Sequence, residues 1–253
     1  MKKIISLVLV VVGFAVFTGC KTAAPIAASP EKNTYVLVHG AWGGGWDWRH
    51  VDDLLTADGN KVFRATLTGQ GERSHLASTN IDLHTHIQDV VNIILWENLH
   101  DVILVGHSYG GMIVTGVADR VPDRIKRAVY VDAMLPENGE NVAAAMPSRR
   151  IPLEVTNGFI LPNWVKGSQP PPHDVPMPAK CFSQPIVLTS AVKVPATYIL
   201  TVDAGNAPAQ DDFYKFYQRA QTRGWPVQIM AGDHNVQRSH PQELARLLEA
   251  AAH

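Results

Sequence analysis

An α/β fold, with a mostly parallel central sheet and helices on both faces, is predicted for these 253 residues by three observations. Short apolar runs recur along the chain and alternate with segments of helical spacing, the signature of parallel strands joined by helical crossovers. Hydrophobic residues make up 46% and charged residues 18%, enough apolar surface to build a sizeable core and to exclude a disordered chain. The length is one that a single large α/β domain reaches.

Each element follows in order. Tyr35 to Val38 is a short apolar run ending near Gly40, as a strand buried on both faces requires. Trp48, Val51, Leu54 and Leu55 then keep helical spacing, and Asp58-Gly59-Asn60 ends that helix. Lys61 to Ala65 reads as a second strand. Ile81 to Leu99 has helical periodicity through Ile87, Val90, Val91, Ile94 and Leu95. Val102 to Val105 is a third strand, and Met112 to Ala118 is a helix apolar enough to be covered on most sides. Ala128 to Val131, Ala196 to Val202 and Val227 to Met230 supply three more strands. A helix carrying Phe213, Phe216 and Tyr217 joins the last two, and Glu243 to Ala252 closes the chain as an amphipathic helix.

Two segments break this rhythm. At the N-terminus, Lys2 and Lys3 precede an apolar run from Ile4 to Phe17, the pattern of a secretory signal over residues 1–19 and short for a membrane-spanning helix. It ends in Phe17-Thr18-Gly19-Cys20, which resembles a bacterial lipobox. That resemblance implies that Cys20 is lipidated, becomes the mature N-terminus and holds an exported protein to a membrane of the cell envelope. Residues 20–33 read as an Ala/Pro-rich tether, and the folded domain as residues 34–253. The second segment, from about 134 to 193, holds eight prolines between Pro152 and Pro185 and reads as a structureless insertion, a lid over the carboxyl ends of the strands. Within it Phe159, Trp164 and Phe182 are candidate substrate-binding residues, together with Trp42.

Lys plus Arg (22) nearly balances Asp plus Glu (23), and no run of like charges appears, which argues against a nucleic-acid partner. Two cysteines, Cys20 and Cys181, form neither a disulfide framework nor a cysteine metal site. His84 and His86 are two apart on a helix and do not share a face, so no metal site is expected there. Cys181 reads as a buried small side chain, and Trp48 as a core residue.

The chemistry centres on Ser108. Gly106-His107-Ser108-Tyr109-Gly110 fits G-x-S-x-G, directly after an apolar strand and directly before a helix, the context that turns this pattern into a nucleophile elbow. A serine nucleophile needs a base, and the base an orienting carboxylate. Asp203 follows the strand ending at Val202, and His234 follows the one ending at Met230, so both reach the sheet edge that carries Ser108. His240 is a rival base, but it precedes Pro241 at a helix start. Asp211 and Asp212 are rival acids that read as the first turn of a helix, and Asp233 sets the turn before His234. The oxyanion of a tetrahedral intermediate needs two N–H donors, for which Tyr109, next after the nucleophile, and Ala41, in the loop after the first strand, are the candidates. No phosphate loop or dinucleotide fingerprint is present in that glycine-rich loop.

From about Thr34 onward the chain resembles the α/β-hydrolase superfamily. Val36 to Trp42, Thr66 to His75 and Gly232-Asp233-His234 are most similar to the branch holding plant methylesterases, hydroxynitrile lyases and bacterial esterases. The resemblance implies the α/β-hydrolase fold, the triad Ser108, Asp203 and His234, an oxyanion hole from Ala41 and Tyr109, and cofactor-free hydrolysis of a small carboxylic ester. The lyases carry a threonine where this chain has Gly40 and a lysine where it has Asn235, which argues against lyase activity. The spacing from Asp203 to His234 is longer than in the plant enzymes, with Asn206 to Gln210 as the insertion. Thioester or lactone hydrolysis and acyl transfer would use the same parts, and ligand capture without turnover is the alternative on this fold. The sequence sets no oligomeric state.

Overall fold

The computed structural model describes residues 33–146, 154–189 and 193–253. The expected leader, Cys20 and nearly all of the expected tether lie outside the described residues.

The chain forms β1 (Thr34–Val38), α1 (Arg49–Ala57), β2 (Lys61–Ala65), α2 (Leu83–Trp96), β3 (Val102–His107), α3 (Gly110–Arg120) and β4 (Ile125–Val131). After an insert come β8 (Ala196–Val202), α6 (Tyr214–Thr222), β9 (Val227–Ala231), α7 (Val236–Ser239) and α8 (Pro241–Ala251). Six strands pair in parallel in the order β2-β1-β3-β4-β8-β9. β1, β3 and β8 are buried almost throughout, as strands covered on both faces must be, whereas the edge strands β2 and β9 are partly exposed.

Strand alternation divides the core. In β1, Val36 and Val38 face the layer formed by α2, α3 and α6, where they meet Ile87, Val90, Val114 and Val117. Tyr35 and Leu37 face the opposite layer, with Trp48, Val51 and Leu55 before and within α1 and Leu244 and Leu248 of α8. The expected helix over 81–99 is shorter. Asp82 caps α2 by accepting a hydrogen bond from Thr85 N at 2.9 Å, and Asn98, in the left-handed region, turns the chain out of it.

The insert is not structureless as the proline content suggests. It contains α4 (Val142–Ala145), a small antiparallel sheet of β5 (Val155–Thr156), β6 (Phe159–Ile160) and β7 (Met177–Pro178), and α5 (Lys180–Ser183). Asn157 and Gly158 both take positive φ, 51° and 81°, which makes the tight hairpin between β5 and β6. The prolines fall mostly between these short elements, where they cost no ladder hydrogen bond. Among the described residues no helix is long and apolar enough to cross a membrane.

Candidate active site

β3 runs straight into the turn that carries Ser108, and α3 starts two residues later. Ser108 has φ 54°, a left-handed conformation disfavoured for a residue with a Cβ, and the packing around the turn holds it there. The Ser108 carbonyl accepts from Gly111 N at 3.1 Å and from Met134 N at 3.0 Å. Gly40 lets the loop after β1 lie against this turn, since a Cβ there would come within 3.0 Å of His107 Nδ1 and 3.1 Å of Ser108 Cβ. Ala41 and Tyr109 therefore border one cavity together with Ser108.

His234 lies three residues beyond β9, and its Nε2 is 3.0 Å from Ser108 Oγ. Its ring stacks against Phe213 at 4.9 Å and meets the His107 ring at 4.5 Å, tilted by 43°. His107 Nε2–H donates to the His234 carbonyl at 2.6 Å, a bond made by the neutral imidazole that burial favours. His240, the rival base, sits at the start of α8 and bonds Ser239.

The carboxylate that His234 bonds is not that of Asp203. His234 Nδ1–H donates to Asp132 Oδ2 at 2.5 Å. Asp132 follows β4, has φ 44° and is fully buried. Its other oxygen accepts from Thr201 N at 3.2 Å, which fixes the carboxylate rotamer. The sheet order gives the reason: β4 lies between β3 and β8, so its carboxyl end is the neighbour of the nucleophile turn. Asp203, at the end of β8, borders the cavity but is exposed, and its carbonyl closes a turn with Asn206 N. Asp211 is near the pair without bonding the imidazole. Its carboxylate accepts from Phe213 N at 2.8 Å, and burial together with the Asp132 charge raises its pKa to about 6. The sequence did carry a signal for Asp132: a charged residue set inside the apolar stretch from Ala128 to Leu135 must be paired if buried.

Burial opposes a charged imidazole, but the hydrogen bond and charge of Asp132, with smaller contributions from Asp211 and Asp233, outweigh it and hold the His234 pKa above its ordinary 6.5. The arrangement can accept a proton from Ser108 and stabilise the imidazolium that results.

The cavity has a volume of about 520 Å³. One part of its wall is apolar, from Trp42, Met134, Val142, Met146, Trp164 and Phe182. Arg238 also borders it, bonded to Asp47 and lying 3.4 Å from Asp174. Of the four substrate-binding candidates, Trp42, Trp164 and Phe182 line this cavity. Phe159 does not; it is committed to β6, paired with Thr156 and Pro178. Cys181 is fully buried, and burial raises its thiol pKa to about 12, which removes it as a nucleophile. His86 is also buried, hydrogen-bonded to the Tyr109 hydroxyl at 3.1 Å and to the Thr68 carbonyl at 3.0 Å.

Over 242 residues the chain is 39% identical to a carbendazim hydrolyzing esterase of Nocardioides sp. (strain SG-4G), covering 85% of this chain and 98% of that protein. It is 35% identical over 114 residues to salicylic acid-binding protein 2 of Nicotiana tabacum, spanning 44% of this chain and 43% of that one. Among solved structures, an extracellular alpha/beta-hydrolase from a Paenibacillus species superposes with a TM-score of 0.69 at 25% identity, over 87% of this chain and 98% of that one. A methylesterase from Arabidopsis superposes with a TM-score of 0.64 at 28% identity, over the same shares. Residues 35–247 match the model of the alpha/beta hydrolase family, and the chain belongs to that family.

Proposed function

We propose that this protein is a serine ester hydrolase that cleaves a small to medium carboxylic ester through an acyl-enzyme. The observation that carries the reading is the continuous chain from Ser108 Oγ to His234 Nε2 (3.0 Å) and from His234 Nδ1 to Asp132 Oδ2 (2.5 Å), opening into a cavity of about 520 Å³. The esterase and methylesterase relatives support ester substrates. Ser108 Oγ attacks the acyl carbon as His234 Nε2 takes its proton. Asp132 holds the imidazole in the tautomer that leaves Nε2 free, and stabilises the imidazolium. The N–H groups of Ala41 and Tyr109 receive the oxyanion. His234 then protonates the leaving alcohol, and a water repeats the sequence on the acyl-enzyme.

The test is a panel of 4-nitrophenyl esters of graded acyl length, with a thioester and a lactone included, on the purified full-length protein. Labelling of Ser108 by a fluorophosphonate is followed in parallel. Turnover with labelling at Ser108 is expected. Tight binding of the esters without turnover would instead give a ligand-capturing protein on the same fold.

The proposal extends to location. The lysines and apolar run of residues 1–19, with Cys20 in a lipobox-like setting, support export and anchoring of the domain to a membrane through a lipidated Cys20. Mass spectrometry of the mature N-terminus tests it, with a lipid-modified Cys20 expected. A free N-terminus downstream of Cys20 would give a secreted, unanchored enzyme.

A further inference from the structure

Trp42 follows Ala41, the proposed oxyanion donor, and it is held in an unfavourable conformation. Its φ is 65°, a region that bulky L side chains rarely adopt and that persists only where surrounding contacts determine it. The contacts that determine it come from the insert. The Trp42 carbonyl accepts from Val175 N at 2.9 Å, and its indole Nε1–H donates to the Ile160 carbonyl at 3.0 Å. Its ring meets Trp164 edge-on at 5.1 Å and Phe182 at 5.5 Å. These partners are themselves tied to the body. Trp164 Nε1–H donates to Asp174 at 2.7 Å, Asp174 lies 3.4 Å from Arg238, and Phe182 stacks on Tyr109 at 5.8 Å and 3°. On its other side Ala41 is flanked by Gly40, which packs directly on His107 and Ser108. The Ala41 peptide is therefore suspended between the nucleophile turn and a tryptophan whose backbone angle is set by the insert.

We infer that Trp42 is a positioning residue that couples the insert to the oxyanion hole, so that the insert governs the chemical step as well as substrate binding. The inference rests on the ester-hydrolase reading above. Its physical basis is that an oxyanion donor is effective only when aimed at the place where charge develops, and that losing one costs about 10²–10³-fold in kcat. Without the insert's hold, Trp42 relaxes toward negative φ, the Ala41–Trp42 peptide turns with it, and the adjoining peptide that carries the Ala41 N–H is no longer held toward the oxyanion. A tryptophan that merely lines the pocket would instead change KM, and only for acyl groups large enough to reach it.

The experiment compares full-length wild type, Trp42→Ala, Trp42→Phe and Trp164→Ala on 4-nitrophenyl acetate, whose acyl group is a single methyl, and on 4-nitrophenyl octanoate. Thermal melts and stoichiometric fluorophosphonate labelling report folding and an intact nucleophile. Trp42→Ala is expected to lower kcat on the acetate by at least about 10-fold, with KM within about 3-fold, because the oxyanion donor is displaced. Trp42→Phe, which keeps a ring against Trp164 and Phe182, should restore most of the loss. Acetate kcat unchanged in Trp42→Ala, with KM raised on octanoate alone, would overturn the inference and leave Trp42 a wall of the pocket. Should Trp42→Ala fail to fold, Trp164→Ala decides: a severalfold fall in acetate kcat supports the coupling, and an unchanged kcat refutes it. Failure of the underlying reading looks different, as wild-type protein that neither turns over the esters nor labels at Ser108.

Discussion

Asp132→Asn against Asp203→Asn is the sharpest test of the site. Asp132 uses both oxygens: Oδ2 accepts from His234 Nδ1 at 2.5 Å and Oδ1 from Thr201 N at 3.2 Å. An asparagine at this buried position must still offer an oxygen to Thr201 N–H, which directs its NH₂ at His234 Nδ1. Two donors cannot face each other, so the imidazole shifts to the tautomer with its proton on Nε2, where it can no longer accept from Ser108. The same swap of tautomer in a Ser-His-Asp protease costs about 10⁴-fold in kcat. At about 1.36 kcal/mol per tenfold, that is about 5 kcal/mol of transition-state stabilisation. Asp203 is exposed and makes no bond to His234, so Asp203→Asn should change kcat by less than about 3-fold, within the range of a weak, solvent-screened interaction. The assay is kcat on 4-nitrophenyl acetate for both variants, with thermal melts to show that each is folded. The reverse order, a collapse in Asp203→Asn and more than a tenth of wild-type kcat in Asp132→Asn, would refute the assignment and return the acid to the end of β8.

Three further outcomes follow. Ser108→Ala should lower kcat by about 10³-fold or more, abolish fluorophosphonate labelling and leave the melting temperature close to wild type. Because His234 must be neutral to act as base and its pKa is held above 6.5, kcat/KM should fall as pH drops through a value above 6.5; in Asp132→Asn, which removes the main charge favouring the imidazolium, any residual activity should show that limb at lower pH. Phe213→Ala should cost about 3 kcal/mol in urea unfolding, since the ring is 7% exposed, and should also lower kcat by freeing the His234 ring it stacks on.

How much of this was legible in the sequence depended on whether the deciding interaction is local. The six parallel strands were, because burial on both faces demands uninterrupted apolar runs, and β1, β3 and β8 show them. The turn that carries Ser108 was legible for a similar reason: the strand, the turn and the helix that give Ser108 its geometry are contiguous in the chain. The insert was not, because its short strands are held by pairing with distant partners, as Phe159 is with Pro178, and two-residue strands carry no periodicity. Only the Asn157-Gly158 hairpin left a local mark.

The acid shows the limit most clearly. Chain order places Asp203 between serine and histidine at a strand end, and Asp132 satisfies the same order at the end of the preceding strand. Order along the chain therefore does not separate them; burial does. Asp203 begins an exposed turn where water can solvate its carboxylate, so its charge needs no partner. Asp132 sits beneath the sheet edge with no exposed surface, where an ionised carboxylate is sustained only by donors such as the His234 imidazole and the Thr201 amide. Desolvation thus pairs Asp132 rather than Asp203 with His234: the buried carboxylate requires the histidine as a donor. That requirement fixes the ring's tautomer before any substrate arrives, and it leaves Asp203 free to face the cavity.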